Sequence, residues 1–199
     1  MTTFFNNIRV VLCQTSHPGN IGSTARAMKT MGLDRLYLVR PKHFPDPEAT
    51  SLAVNAAGVL DAAVVTQTLE EALADCQFVI GVSGKERSLS QQVMTVREAA
   101  QEVKNTAAHS QVALVFGTEM SGLSNAEADL CHVLATIPAN PEYTSLNLAQ
   151  AVQIMSYEIR MAITTGELHY QEKPVELASQ DDLERFYEHM REVLEHIGY

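Results

Sequence analysis

The chain has 199 residues, 46% of them apolar, and three widely spaced cysteines, Cys13, Cys76 and Cys131, with no CxxC pair. That is enough for one substantial core, suggests neither a disulfide framework nor a metal site, and suits a reducing cytoplasm; no apolar run nears the 18 or so residues of a membrane span, and Met1–Asn7 lacks the features of a secretory signal. The net charge of −10 runs against nucleic-acid binding, but it is uneven: residues 167–199 hold nine acidic and three basic side chains, while Arg26, Lys29, Arg35, Arg40 and Lys42 share one short stretch, with Lys85 and Arg87 further on, leaving room for a basic face.

Taken in chain order, short β-branched runs alternate with helical patterns. Ile8–Leu12 reads as a strand and Ile21–Met31 as a helix, followed by a strand at Leu36–Val39 and a proline-rich loop from Pro41 to Pro47. A helix near Glu48–Ala57 leads to a weaker strand at Ala62–Val65. Thr68 with Glu71, Thr95 with Glu98 and Ser124 with Glu127 have capping-box spacing and each opens a helix. Between them lie the strands Phe78–Val82 and Val112–Phe116, then His132–Ile137, and a long apolar helix runs from Ser145 to about Thr164. Such alternation predicts an α/β fold, a parallel sheet flanked by helices. The expected domain covers 1–165, with a polar linker over 166–180. An amphipathic helix over 181–199 places Leu183, Phe186, Tyr187, Met190, Leu194 and Ile197 on one face, and it reads as the start of a truncated extension.

In a parallel sheet, ligands bind at the loops after the strands' carboxyl ends. Three of those loops carry unusual residues. In Ser16–Arg26, Asn20 sits where a helix N-cap would and Gly22 permits a close approach by backbone or ligand. Read by itself, this is an ordinary capped helix with a surface arginine. Leu114–Leu123 sets Glu119 between Gly117 and Gly122 directly after a buried strand, where the carboxylate needs a partner; a glutamate capping a neighbouring amide would read the same way. In Ile137–Ala149, Ser145 suits a helix cap, whereas Asn147 inside the first turn of an apolar helix is costly unless its amide is used.

In this order, Asn20–Arg26 (NIGSTAR), Leu114–Leu123 (LVFGTEMSGL) and the Ile137-Pro138…Ser145-Leu146-Asn147 segment resemble the three motifs of the SpoU branch of the SPOUT methyltransferases. The stretches TSHPGNIGSTARAMKTMGL, ANPEYTSLNLAQAVQ and DDLERFY extend the resemblance over essentially the whole chain, toward bacterial tRNA enzymes that methylate the ribose of nucleotide 32 in the anticodon loop. The resemblance implies a SPOUT fold with a C-terminal deep trefoil knot, a homodimer joined through knot-region helices, tRNA as partner and S-adenosyl-L-methionine as cofactor. It implies cofactor contacts, largely main-chain, from Val82, Ser83 and Gly84, from Gly117, and from Ile137, Thr144, Ser145 and Leu146.

The implied chemistry is attack of a ribose 2′-oxygen on a sulfonium methyl, which needs no metal. Arg26 holds the central role, as electrostatic stabiliser of the oxygen and anchor for a neighbouring phosphate, since a guanidinium is a poor base. Asn20, Glu119 and Asn147 would hold Arg26 and the ribose, and Ser145 would organise the third loop. Ser83–Ser88 is less basic than the family pattern, and Thr118 and Met120 stand where an arginine is expected. Both departures bear on which RNA is bound. The alternatives are a SpoU enzyme acting on rRNA or another tRNA position, and a catalytically silent RNA-binding module. A dinucleotide-dependent oxidoreductase is disfavoured, because no GxGxxG follows the first strand.

Overall fold

The computed structural model describes residues 2–84, 92–164 and 179–198. Lys85, Arg87 and most of the expected 166–180 linker lie outside the described residues. Residues 1–166 cluster into one compact unit and 167–199 into another.

Seven strands form one all-parallel sheet: β1 (Ile8–Cys13), β2 (Arg35–Val39), β3 (Val64–Thr66), β4 (Phe78–Val82), β5 (Val93–Thr95), β6 (Val112–Phe116) and β7 (Val133–Thr136). Their order in the sheet is β3-β2-β1-β6-β4-β7-β5, and every neighbouring pair is parallel. The alternating pattern is met by α1 (Thr2–Asn6), α2 (Pro18–Met31), α3 (Pro47–Ala53), α4 (Ala57–Asp61), α5 (Leu69–Leu73), α6 (Val96–Ala107), α7 (Asn125–Asp129) and α8 (Leu148–Thr164). In the second unit, α9 (Gln180–His196) has a capping box from Ser179 and Asp182, and its apolar side chains, including Phe186 and Tyr187, are exposed.

Strand parity assigns the two faces. Val10, Leu12, Leu36, Leu38, Ile80, Leu114 and Phe116 point to a large core shared with α2, α6 and α8. Val11, Cys13, Val39, Val79, Ala113, Val115 and Leu134 point to a smaller one under α5 and α7. β1 and β6 are buried along their whole length, as continuous apolar runs in a parallel sheet should be. Cys13, Cys76 and Cys131 form no disulfide among the described residues, and burial pushes the Cys13 thiol up from its ordinary value. No helix among the described residues is long and apolar enough to cross a membrane.

Several expectations are corrected. The helix near Glu48–Ala57 is two helices, α3 and α4, joined by a 3₁₀ turn at Val54–Ala56, where Val54 adopts φ 52°. The first long helix begins three residues before Ile21, at Pro18, so Asn20 lies inside it and His17 is the N-cap. The last begins at Leu148, and its cap is Asn147, whose Oδ1 accepts from Ala149 N (2.9 Å) and Gln150 N (3.4 Å). Capping therefore explains Asn147 and leaves Ser145 free for the site. Two elements were missed, α1 and the short edge strand β5. All three capping boxes form as their spacing predicts.

Candidate active site

The sheet order reverses between β1 and β6: the chain runs outward from β1 to β2 and β3, then crosses back to build the other half. Ligand crevices in open α/β sheets open at such a point. Here the loop after β1 meets the loop after β6, and Glu119 joins them. Its carboxylate accepts from Ser16 N (3.1 and 3.2 Å), Ser16 Oγ (3.0 Å), His17 N (3.1 Å) and Asn20 Nδ2 (3.1 Å). His17, the N-cap, does not cap α2 with its side chain. Glu119 instead places a negative charge at that helix's amino end from a loop distant in sequence, where the helix dipole favours it. Burial works to raise the Glu119 pKa, but the Asn20 amide and the Ser16 and His17 N–H groups prevail and hold it down at about 2.

The network continues into the third loop. Asn20 Oδ1 accepts from Asn147 Nδ2 at 2.9 Å, while Asn147 Oδ1 caps α8. Asn147, Asn20 and Glu119 thus form one chain of hydrogen bonds linking the starts of α8 and α2 to the loop after β6. These are the three polar residues singled out in the three loops, and the fold brings them together. Arg26 is not part of this chain. It lies on the exposed side of α2 and, among the described residues, its guanidinium makes no hydrogen bond or ion pair. It lines a groove with Ser23 and Thr30 of its own helix, Leu52 of α3, and Asn147, Gln150 and Gln153.

The cleft proper opens at the carboxyl ends of β6, β4 and β7. Val82, Ser83 and Gly84, then Gly117, and Ile137 with Thr144, Ser145 and Leu146 all line it, as the three-loop reading expects. Sequence reasoning missed Phe116, Leu148 and Ala151, which floor it, and Ser121, beside Thr118 and Met120 on the rim. The two apolar helix positions lie on α8's inward stripe, so the helical period was the available signal. Ser83 N donates to Ala135 O (3.0 Å) and Thr136 Oγ1 to Ser83 O (3.0 Å), fastening the β4 loop to β7. Gly117 is essential to the second wall: a Cβ there would sit 2.0 Å from the Gly122 carbonyl carbon and 2.1 Å from Leu123 N. Thr118 and Gly122 exchange backbone bonds across this tight loop, and Gly122 takes φ 67°.

The turn 144–150 is a partition. Thr144, Ser145, Leu146 and Leu148 face the cleft, whereas Asn147, Ala149 and Gln150 face the Arg26 groove. The cleft's lining suits a nucleoside carrying a positive centre. Its walls are small or apolar, and among the described residues lining it Glu119 alone is charged. Among the described residues, no group of His, Cys, Asp and Glu is placed to hold a metal ion. The expected basic stretch divides. Lys29 and Arg35 lie at the amino end of the sheet, where Arg35 donates to Gln111 and to Asn6 O, while Arg40 and Lys42 lie at the carboxyl end.

A parallel sheet with this strand order, a cleft at the carboxyl ends of β6, β4 and β7, and three motif loops meeting there define a methylase class. The chain belongs to the SpoU rRNA Methylase family, whose profile matches residues 7–157. Within that class it is 49% identical to the tRNA (cytidine/uridine-2'-O-)-methyltransferase TrmJ of Yersinia pestis (strain Pestoides F), over 98% of this chain and 77% of the relative. Among solved structures, a probable methylase family protein from Haemophilus influenzae Rd KW20 superposes with a TM-score of 0.77 at 41% identity, covering 100% of this chain and 82% of the other. TrmJ from Z. mobilis ZM4 superposes with a TM-score of 0.74 at 36% identity, covering 96% and 81%.

Proposed function

We propose that the chain is an S-adenosylmethionine-dependent methyltransferase acting on a ribose 2′-hydroxyl of tRNA, with nucleotide 32 of the anticodon loop as the target. The observation that carries this reading is the junction of a nucleoside-sized cleft with an arginine-lined groove across the Asn147 turn. When bound, S-adenosylmethionine supplies a methyl group on a positively charged sulfur. Val82, Ser83, Gly84, Gly117, Ile137, Thr144, Ser145 and Leu146 hold the nucleoside through main-chain groups and apolar surface, and the Glu119 charge favours the cationic centre.

Arg26 acts on the substrate as a fixed positive charge. It stabilises negative charge developing on the 2′-oxygen and anchors a neighbouring phosphate, which takes up the hydroxyl proton. Asn20, Glu119 and Asn147 keep the three loops in register, so that the ribose meets an oriented site. Ser145 shapes the cleft side of the partition. Because Arg26 opens on the groove and not on the cleft, the same reading takes the enzyme as a homodimer whose site draws on both subunits. The deep trefoil knot, the 1–165 domain followed by a linker and terminal helix, and a cytoplasmic setting belong to this reading.

One observation favours a second target. Met120 is 96% exposed and Thr118 Oγ1 pairs with Ser121 Oγ (2.7 Å), so this rim carries no positive charge where an arginine is expected. That suits a SpoU enzyme acting on rRNA or another tRNA position. Mass-spectrometric mapping of ribose methylation in tRNA incubated with the protein and cofactor decides between them. Product at nucleotide 32 is expected; product elsewhere rejects that target, and cofactor binding without product indicates a silent RNA-binding module. Arg26→Ala should lower methyl transfer about 100-fold or more while calorimetry shows unchanged S-adenosylmethionine binding.

A further inference from the structure

The carboxyl edge of the sheet carries a second feature, beside the cleft. β1 and β2 both leave the sheet through a left-handed residue that is not glycine, Gln14 (φ 51°) and Arg40 (φ 45°). Each backbone N–H is held by the neighbouring strand: Gln14 N donates to Val39 O (2.8 Å) and Arg40 N to Thr66 O (3.0 Å). Glycine or asparagine adopts this conformation with less strain. A long basic side chain kept there against backbone preference points to a use for the side chain.

That use is not found within the protein. Arg40 is exposed, and among the described residues its guanidinium has no hydrogen-bond or ion-pair partner. It lines an open groove with Gln14, Thr68, Glu70 and Glu127. Glu127 is engaged by Ser124 N (2.7 Å) and Gln14 Nε2 (3.5 Å), which leaves Glu70 as the one acid of the groove without such a bond among the described residues. Lys42 and His43 follow, both exposed and, among the described residues, with no side-chain hydrogen bond or ion pair. Pro41 and Pro45 stiffen this loop. Lys42 N donates to Thr15 O at 3.0 Å, next to the Ser16 and His17 amides that grip Glu119. The strip is therefore pinned to the wall of the site.

We propose that Arg40, Lys42 and His43 form a contact surface for the phosphate backbone of the RNA substrate, which they lay across the mouth of the cleft; this rests on the methyltransferase reading. On a chain of net charge −10, a polyanion approaches only where positive charge is concentrated and unpaired. Arg40 offers a planar fork to phosphate oxygens and Lys42 a mobile point charge. Such contacts position the RNA without reading its sequence.

The test is the double variant Arg40→Asn, Lys42→Gln in the full chain; asparagine retains access to the left-handed backbone. Affinity for tRNA is measured by fluorescence anisotropy from about 50 to 200 mM KCl, alongside cofactor calorimetry and steady-state methyl transfer. The expected result is about ten-fold weaker tRNA binding, a salt slope smaller by about one per lost contact, a raised KM for tRNA, and unchanged kcat and cofactor affinity. Unchanged tRNA affinity and salt slope in a variant that still methylates would overturn the strip alone, as would a fall in kcat with KM unmoved. A wild-type protein that bound neither cofactor nor tRNA would remove both the strip and the methyltransferase reading.

Discussion

Glu119 shows how one side chain can tie together the loops of a site. An unpaired, part-buried carboxylate would be protonated more readily than an ordinary one, yet its converging donors hold this one at about 2 against an ordinary 4.5. A depressed folded pKa means the carboxylate stabilises the fold fully above 4.5 and loses that contribution as pH falls from 4.5 through 2. Glu119→Gln should remove this acid limb and cost about 1–3 kcal/mol at neutral pH, read by urea unfolding across pH 2–7; a variant with the wild-type pH profile would refute the assignment. Arg9 makes the complementary case. It is 1% exposed in the middle of an apolar strand, with Nη1 on Ala72 O (2.8 Å), Nη2 on Asp75 (2.6 Å) and its guanidinium over the Tyr37 ring. Nothing in the Ile8–Leu12 pattern revealed those partners, because all three lie on other elements.

At the scale of elements, local rules were legible and long-range ones were not. Thr68 with Glu71, Thr95 with Glu98 and Ser124 with Glu127 satisfy each other within one turn, so their spacing alone was sufficient. Glu119 and Asn147 both read as needing a partner, but the caps fall elsewhere: Asn20 lies inside α2, whose start is met by Glu119 from another loop, and Asn147 takes the α8 cap expected of Ser145. The sequence left open whether Gly22 makes room for backbone or ligand. The structure answers backbone: a Cβ on Gly22 would lie 2.1 Å from Ala49 O, so α2 and α3 touch there. Gly22→Ala should therefore destabilise by about 1–3 kcal/mol. Gly58→Ala in α4, where a Cβ meets nothing within 4 Å, should stabilise by about 0.5–1 kcal/mol. Denaturant midpoints of the two variants moving in the same direction would count against this packing.

Across the whole molecule, stability is graded from the centre of the sheet outward. β1 and β6 are buried throughout, whereas edge strands β3 and β5 are three residues each and expose Val64, Val65 and Val93. The shortness of β5 is also why its apolar pattern escaped notice. Amide hydrogen exchange should be slowest in β1, β6 and β4 and fastest in β3 and β5; equal protection across the sheet would contradict this gradient. The strand order itself was beyond sequence patterning, since each parallel partner is chosen through crossovers that leave no local trace. What the alternation did give was the carboxyl edge, and hence the loops in which to look.

The chain from Asn147 through Asn20 to Glu119 has a direction. Each amide donates toward the carboxylate and accepts from behind, so neither side chain can be turned over without breaking two contacts. Carboxamides neither gain nor lose a proton near neutrality, and a carboxylic acid of pKa about 2 hardly takes one. The network is rigid wiring that carries no current. The wiring itself thus offers a nucleophile no proton acceptor; in the proposed reaction the acceptor arrives with the substrate, as the phosphate that Arg26 anchors.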